Sequence, residues 1–214
     1  MKKFVVLCAA FAVLAVGQMA DAAFSLRIAD GVNPDIVLAD GDADGVIATT
    51  TGIGVFNIVV TSSFSKPAVG TPSQAELTLD VQWTSRGAGT LTITAIDDGF
   101  TVGVGGPSIT LESDWTKNGS GTATGTSSLD ATSITTGAIV GGPIQITKSA
   151  FIAPAPGAPY TLKNVLSITT ATAANGDFDV MTTATIPEPT SMLLWGSFVA
   201  LGIPAAVRRR RQAA

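Results

Sequence analysis

Apolar and polar side chains alternate with a period of two along most of this chain. Across residues 75–84, Ala75, Leu77, Leu79, Val81 and Trp83 alternate with Glu76, Thr78, Asp80, Gln82 and Thr84. Successive strand side chains point to opposite faces, so this pattern predicts a half-buried β-strand. Arg86-Gly87-Ala88-Gly89 follows, and residues 90–96 resume the alternation with Leu91, Ile93 and Ala95 on one face. The two segments are predicted to pair as an antiparallel hairpin. Phe178, Val180, Thr182 and Ala184 alternate likewise and are predicted to pair with residues 162–172 across the turn dipeptide Asn175-Gly176. Shorter strand candidates lie at 24–28, 46–50, 55–63, 100–104, 108–115, 122–129 and 144–150. No window of ten residues in the body holds a helical period. Many short strands separated by Gly and Pro predict an all-β fold, an antiparallel β-sandwich of jelly-roll type. The Pro-rich stretch 153–159 is expected to join sheets or cap an edge. Residues 119–128, nearly all Gly, Ser and Thr, also admit a disordered or glycosylated stalk, beside the sequon Asn118-Gly119-Ser120.

Both ends break the alternation. Lys2 and Lys3 precede an apolar run, and Ala20-Asp21-Ala22 is a small-x-small cleavage site. Residues 1–22 therefore read as a secretory signal peptide, cut between Ala22 and Ala23 by signal peptidase after Sec export. At the other end, the eighteen residues 190–207 carry no ionisable side chain. As a helix they extend about 27 Å, close to the ~30 Å core of a bilayer. Arg208, Arg209, Arg210 and Arg211 follow at once and mark the cytoplasmic end. The predicted organisation is a signal peptide (1–22), a β-sandwich ectodomain (23–184) and a tail (185–211) with one transmembrane helix.

The tail carries a resemblance. Pro187-Glu188-Pro189, one apolar span and a terminal arginine cluster are similar in kind and order to the PEP-CTERM sorting signal of exported bacterial proteins. The resemblance implies recognition by an exosortase, a membrane-embedded transpeptidase, with cleavage near the motif. It implies transient anchoring in the inner membrane and a final place at the cell surface or in the extracellular matrix. Residues 46–70, the 77–81 strand and residues 89–93 also resemble the β-rich ectodomains of many PEP-CTERM proteins, which implies a fold and no activity.

Charge changes the picture once the ends are set aside. Residues 23–187 hold fourteen acidic and six basic side chains, a net charge of −8. Such a body argues against nucleic acid and anionic lipid as partners. The only cysteine, Cys8, falls in the leader, and there is no histidine. That excludes disulfides in the body, Ser-His-Asp and Cys-His nucleophiles, and a usual zinc site.

Three pieces of candidate chemistry remain. Asp40-Gly41-Asp42-Ala43-Asp44-Gly45 matches the start of a calcium loop, with alternate carboxylates for one hard cation and a glycine at the turn. Thr51 stands where an EF-hand places its bidentate Glu, so any calcium site is of another type, and no other cofactor is expected. A carboxylate glycosidase would draw on Glu76 and Glu112, the only glutamates of the body, and on its twelve aspartates. Trp83, Trp115 and Tyr160 are the candidate sugar platforms; Trp83 lies on an apolar face and reads first as core, and Trp115, flanked by Asp114 and Lys117, reads as exposed. The expected function is that of an exported, exopolysaccharide-associated structural or interaction protein and not of an enzyme. A carbohydrate-binding module is the alternative, with a glycoside hydrolase behind it.

Overall fold

The computed structural model describes residues 24–186, apart from 67–68, 72–73, 105, 107, 154 and 156–158. The expected signal peptide and its expected cleavage site at Ala22 and Ala23, the motif Pro187-Glu188-Pro189, the apolar span and Arg208 to Arg211 lie outside the described residues. Among the described residues no helix is long and apolar enough to cross a membrane.

The described chain is all strand and turn. In order it forms β1 (Ser25–Ala29), β2 (Ile36–Ala39), β3 (Val46–Ile53), β4 (Phe56–Phe64), β5 (Gln74–Ser85), β6 (Gly89–Phe100), β7 (Ile109–Gly119), β8 (Thr122–Leu129), β9 (Thr132–Thr135), β10 (Ile139–Val140), β11 (Ile144–Ile152), β12 (Tyr160–Thr170) and β13 (Ala174–Thr185). Two antiparallel sheets result. The first runs β10-β8-β12-β6-β1-β2, with β9 also on β8, and the second runs β11-β7-β13-β5-β4-β3. The inner faces meet in one core. Leu77, Leu79, Val81 and Trp83 of β5 and Leu91, Ile93 and Ala95 of β6 are all buried, as the alternation predicts.

The predicted hairpins are not formed. β5 pairs with β4 and β13, and β6 pairs with β1 and β12, so the two strands lie in opposite sheets. Each carries a mainly apolar face, broken by Ser85 at the end of β5 and by Asp97 on β6, and placing those faces against each other buries both stripes at once. Residues 86–88 are thus a corner between sheets. β12 and β13 are split the same way, with the corner at residues 171–173. The two corners are bonded together: Thr170 Oγ1 donates to the Gly87 carbonyl at 2.8 Å and lies 3.2 Å from Ser85 Oγ. Asn175 and Gly176 belong to β13. A Cβ on Gly176 would come within 2.5 Å of the Asn118 carbonyl and 3.0 Å of the Trp83 ring, so this glycine serves close packing and not a turn.

The stalk reading of residues 119–128 is also corrected. β8 pairs with β12 on one side and with β9 and β10 on the other. Its small residues make room for Trp115. A Cβ on Gly125 would lie 2.5 Å from Trp115 Cδ1. Of the candidate strand at 100–104, only Phe100 is in a strand, as the last residue of β6.

Candidate functional site

The acidic loop joins β2, an edge of the first sheet, to β3, an edge of the second. Its oxygens converge: one carboxylate oxygen from each of Asp40, Asp42 and Asp44 lies within 4.8 Å of the others. The backbone wraps around them with positive φ at Ala43 (56°) and Gly45 (79°). Gly45 N donates to Asp40 Oδ2 at 2.8 Å, and Val46 N donates to Asp44 Oδ1 at 2.9 Å. Asp40 Oδ1 is shielded from solvent and has no hydrogen-bond partner. The hydrogen bond with Asp40 and the charge of Asp44 push the Asp42 carboxyl above its ordinary range. This donor set suits a hard cation held by oxygen. Thr51 does not return to the loop, because β3 carries it into register with Ile58.

Beside this loop sits an ion pair, with its carboxylate buried and its ammonium half-buried, that the sequence does not announce. Asp97 on β6 is fully buried and accepts hydrogen bonds from Ser65 Oγ and from Lys66 Nζ, the latter at 3.0 and 3.1 Å. Burial pushes the Asp97 carboxyl up, against the opposing pull of Ser65 and Lys66. Lys66 Nζ lies 3.8 Å from the centroid of the Phe100 ring, which stacks on Tyr160. The cluster ties the chain after β4 to the opposite sheet.

The three aromatic candidates are no sugar platform. Trp83, Trp115 and Tyr160 are 3%, 0% and 1% exposed, so none can stack on a ligand. Trp83 is core, as read from its face. The exposed reading of Trp115 fails because Asp114, its neighbour in sequence, points to the opposite face of β7. Lys117, on the same face as Trp115, is itself buried and ends on the Gly119 and Gly141 carbonyls. Glu76 and Glu112 share the outer face of the second sheet, with Thr183 between them in register. Asn118 of the sequon donates its amide to Asp177 at 2.9 Å.

That outer face holds a groove of about 630 Å³ over β3, β4, β5 and β13, reaching Gly119 at the end of β7. Asp80 on β5 faces Asp179 on β13, and Gln82 faces Asp177 two residues along. Asn57, Thr84 and Asn175 line its other end. Burial comes first, then hydrogen bonding with Asp80 and the charges of Asp80 and Asp177, in pushing Asp179 up to about 6. Sequence alternation places these aspartates on a polar face, but nothing in it brings Asp80 to Asp179.

No protein-family model matches the sequence, and no curated protein matches it. Several solved structures share partial likeness. The enzymatically active domain of tailspike protein 4 of bacteriophage CBA120 is 10% identical at a TM-score of 0.39, over 66% of this chain and 19% of that one. The CBM22-1-GH10 modules of a Clostridium thermocellum endo-1,4-β-D-xylanase, complexed with xylohexaose, are 18% identical at 0.29, over 58% and 28%. A CBM4 structure is 14% identical at 0.28, over 64% and 90%. The chain thus spans less than a third of the first two. Likeness at these scores carries no functional weight.

Proposed function

We propose that this chain is an exported surface or matrix protein whose β-sandwich is the interaction module and whose tail is an exosortase address. The observation that carries the reading is the order Pro187-Glu188-Pro189, uncharged span, Arg208 to Arg211. A proline-fixed extended segment suits a protease cleft, because little chain entropy is lost on binding. The fold is compatible with cutting there. β13 ends at Thr185 and lies inside its sheet, between β5 and β7. Cleavage at the motif therefore leaves every described strand in place. In this reading signal peptidase acts between Ala22 and Ala23 after Sec export, the apolar span holds the chain in the inner membrane until processing, and exopolysaccharide is the matrix partner.

The test follows an epitope tag placed after Ala23 in cells with and without the exosortase. The wild-type ectodomain is expected to reach a smaller size and an outer compartment only when the enzyme is present. Alanine at Pro187, Glu188 and Pro189 is expected to block that step and leave export intact. Equal size and place in both strains overturns the sorting reading and leaves an ordinary membrane anchor.

Carbohydrate binding, the second reading, is supported by the polar groove on the second sheet, since the aromatic candidates lie in the core. Calcium at Asp40, Asp42 and Asp44 is proposed as a structural ion of the loop. No catalytic role is proposed for Glu76 or Glu112, since neither lines the groove.

A further inference from the structure

The groove floor presents side chains and not free backbone. β5 and β13 are interior strands, each hydrogen-bonded on both edges. Recognition on that floor therefore falls to side chains, and β3, the edge strand that borders the groove, contributes Thr50 to the lining. The lining supplies side-chain amides, hydroxyls and carboxylates, from Asn57, Gln82, Thr84 and Asn175 to Asp80, Asp177 and Asp179. Those groups match ring hydroxyls, which both donate and accept. Five strands from β3 to β7 contribute lining, a span of about 19 Å at the usual strand spacing, long enough for a short run of sugars.

Charge narrows the class further. Among the described lining residues three are carboxylates and none is Lys or Arg. Asp177 is oriented by Asn118, and Asp80 and Asp179 stand opposite each other across two hydrogen-bonded strands.

We infer that this groove binds a glycan bearing free amines, an amino-sugar polymer, with one ammonium seated between Asp80 and Asp179. The inference rests on the matrix reading above and names its site and class of polymer. A cation between the pair removes the repulsion that two facing carboxylates otherwise carry. Burial first, and Asp80 and Asp177 after it, hold the Asp179 carboxyl above its ordinary range, and a seated ammonium would oppose all three by favouring the ionised form. An acetylated or neutral sugar offers the same hydroxyls and no such gain.

The test uses the full chain in detergent micelles near pH 6.5. Affinity is measured for a glucosamine oligomer, its N-acetylated counterpart, a cello-oligosaccharide and oligolysine. The glucosamine oligomer is expected to bind at least about tenfold more tightly than the acetylated one. Asp80→Asn with Asp179→Asn is expected to erase that preference; these are isosteric changes that relieve repulsion, so the fold is kept. Gln82→Arg, which places a fixed cation in the groove, is expected to abolish binding by itself. Equal affinity for free and acetylated oligomers, or unchanged binding by the double variant, overturns the inference. So does tighter binding of oligolysine than of the glycan. Co-sedimentation with the cell's own polymer separates the two levels. A protein that co-sediments but ranks the oligomers equally keeps the matrix reading and loses this one. The reverse result keeps the groove and loses the matrix reading.

Discussion

Thr182 Oγ1 on β13 donates to Asn164 Oδ1 on β12 at 2.7 Å, across the gap between the two sheets. Both residues are fully buried. Ser127 of β8 donates to the same Asn164 oxygen at 2.8 Å, and Ser113 of β7 lies 2.8 Å from Thr182. The Asn164 amide then donates to the Leu77 carbonyl on β5 at 3.0 Å. Five strands meet in one polar knot inside an apolar core. In a low dielectric such a knot is strong when complete and costly when one member is lost.

The first prediction follows from that asymmetry. Asn164→Ala takes from two buried hydroxyls and a carbonyl the amide they share, leaving Thr182 and Ser127 only each other and Ser113, and is expected to cost on the order of 2–4 kcal/mol. Thr182→Val, which keeps the volume, is expected to cost about 1–2 kcal/mol. Replacing Asn164, Thr182, Ser113 and Ser127 together by apolar residues is expected to cost less than the sum of the single changes. Urea denaturation of each variant measures this; strict additivity would mean that the four side chains act independently.

The second prediction concerns pH. Asp179 faces Asp80 on β5 and Thr116 on β7, with Asp177 two residues before it on its own strand. Its folded value of about 6 lies above the ordinary 3.8. Between those values the folded state binds more protons than the unfolded state, so this group makes stability rise as pH falls from 7 towards 4. The contribution is expected to be on the order of 1–2 kcal/mol once solvent screening is allowed for. Asp179→Asn is expected to flatten that part of the profile and to raise stability at neutral pH. Thermal melts from pH 4 to pH 8 check it, and an unchanged slope in the variant would assign the dependence elsewhere.

How far the sequence could be read depends on which property each element rests on. The inward faces of β5, β6 and β13 depend only on local alternation, and every one of Leu77, Leu91 and Val180 lies where its period puts it. Partner choice depends on contacts remote in sequence. A turn-rich tetrad such as Arg86-Gly87-Ala88-Gly89 suits a hairpin and a sheet-to-sheet corner equally well. β8 looked like a stalk because its inner positions, Ala123, Gly125 and Ser127, are small. Their size makes sense only once Trp115 is set against them. The short edge strands β2, β9 and β10 carry too few alternating residues to stand out. The groove was hidden for a similar reason: Asp80 and Asp179 are neighbours only after β5 and β13 are in register.

The third prediction tests the pairing of Trp115 with Gly125. Gly125→Ala puts a methyl 2.5 Å from Trp115 Cδ1 and 3.1 Å from Phe178 Cζ. Backbone strands on both sides of β8 limit its retreat. The change is expected to cost about 1–3 kcal/mol by overpacking. Adding Trp115→Phe, which shortens the facing ring, is expected to recover part of that loss. Denaturation of the single and double variants reads the coupling directly, and equal stability of Gly125→Ala and wild type would mean that the ring has room to move.

The last prediction concerns the loop between β2 and β3. Three carboxylates converge there, one with an oxygen that nothing in the protein satisfies. A cation would take up that oxygen and offset the mutual repulsion of the three carboxylates. The ligand count is short, because Thr51 is committed to β3, so water must complete the shell and affinity is expected in the range of ~10⁻⁴–10⁻³ M. The loop joins an edge of one sheet to an edge of the other, and Gly45 O accepts from Ser65 N at 2.8 Å, one residue before Lys66. Binding the ion should therefore stiffen the contact between the sheets along this side. Calcium at several millimolar is expected to raise the melting temperature by a few degrees relative to chelator, since it binds the folded loop and not the open chain. Magnesium, which demands a tighter octahedral shell, is expected to do less. Asp42→Asn is expected to remove the calcium response and to leave the melt in chelator no lower than wild type, because the same change relieves the repulsion. Identical melts of the wild type in calcium and in chelator would make the loop an ordinary solvated turn.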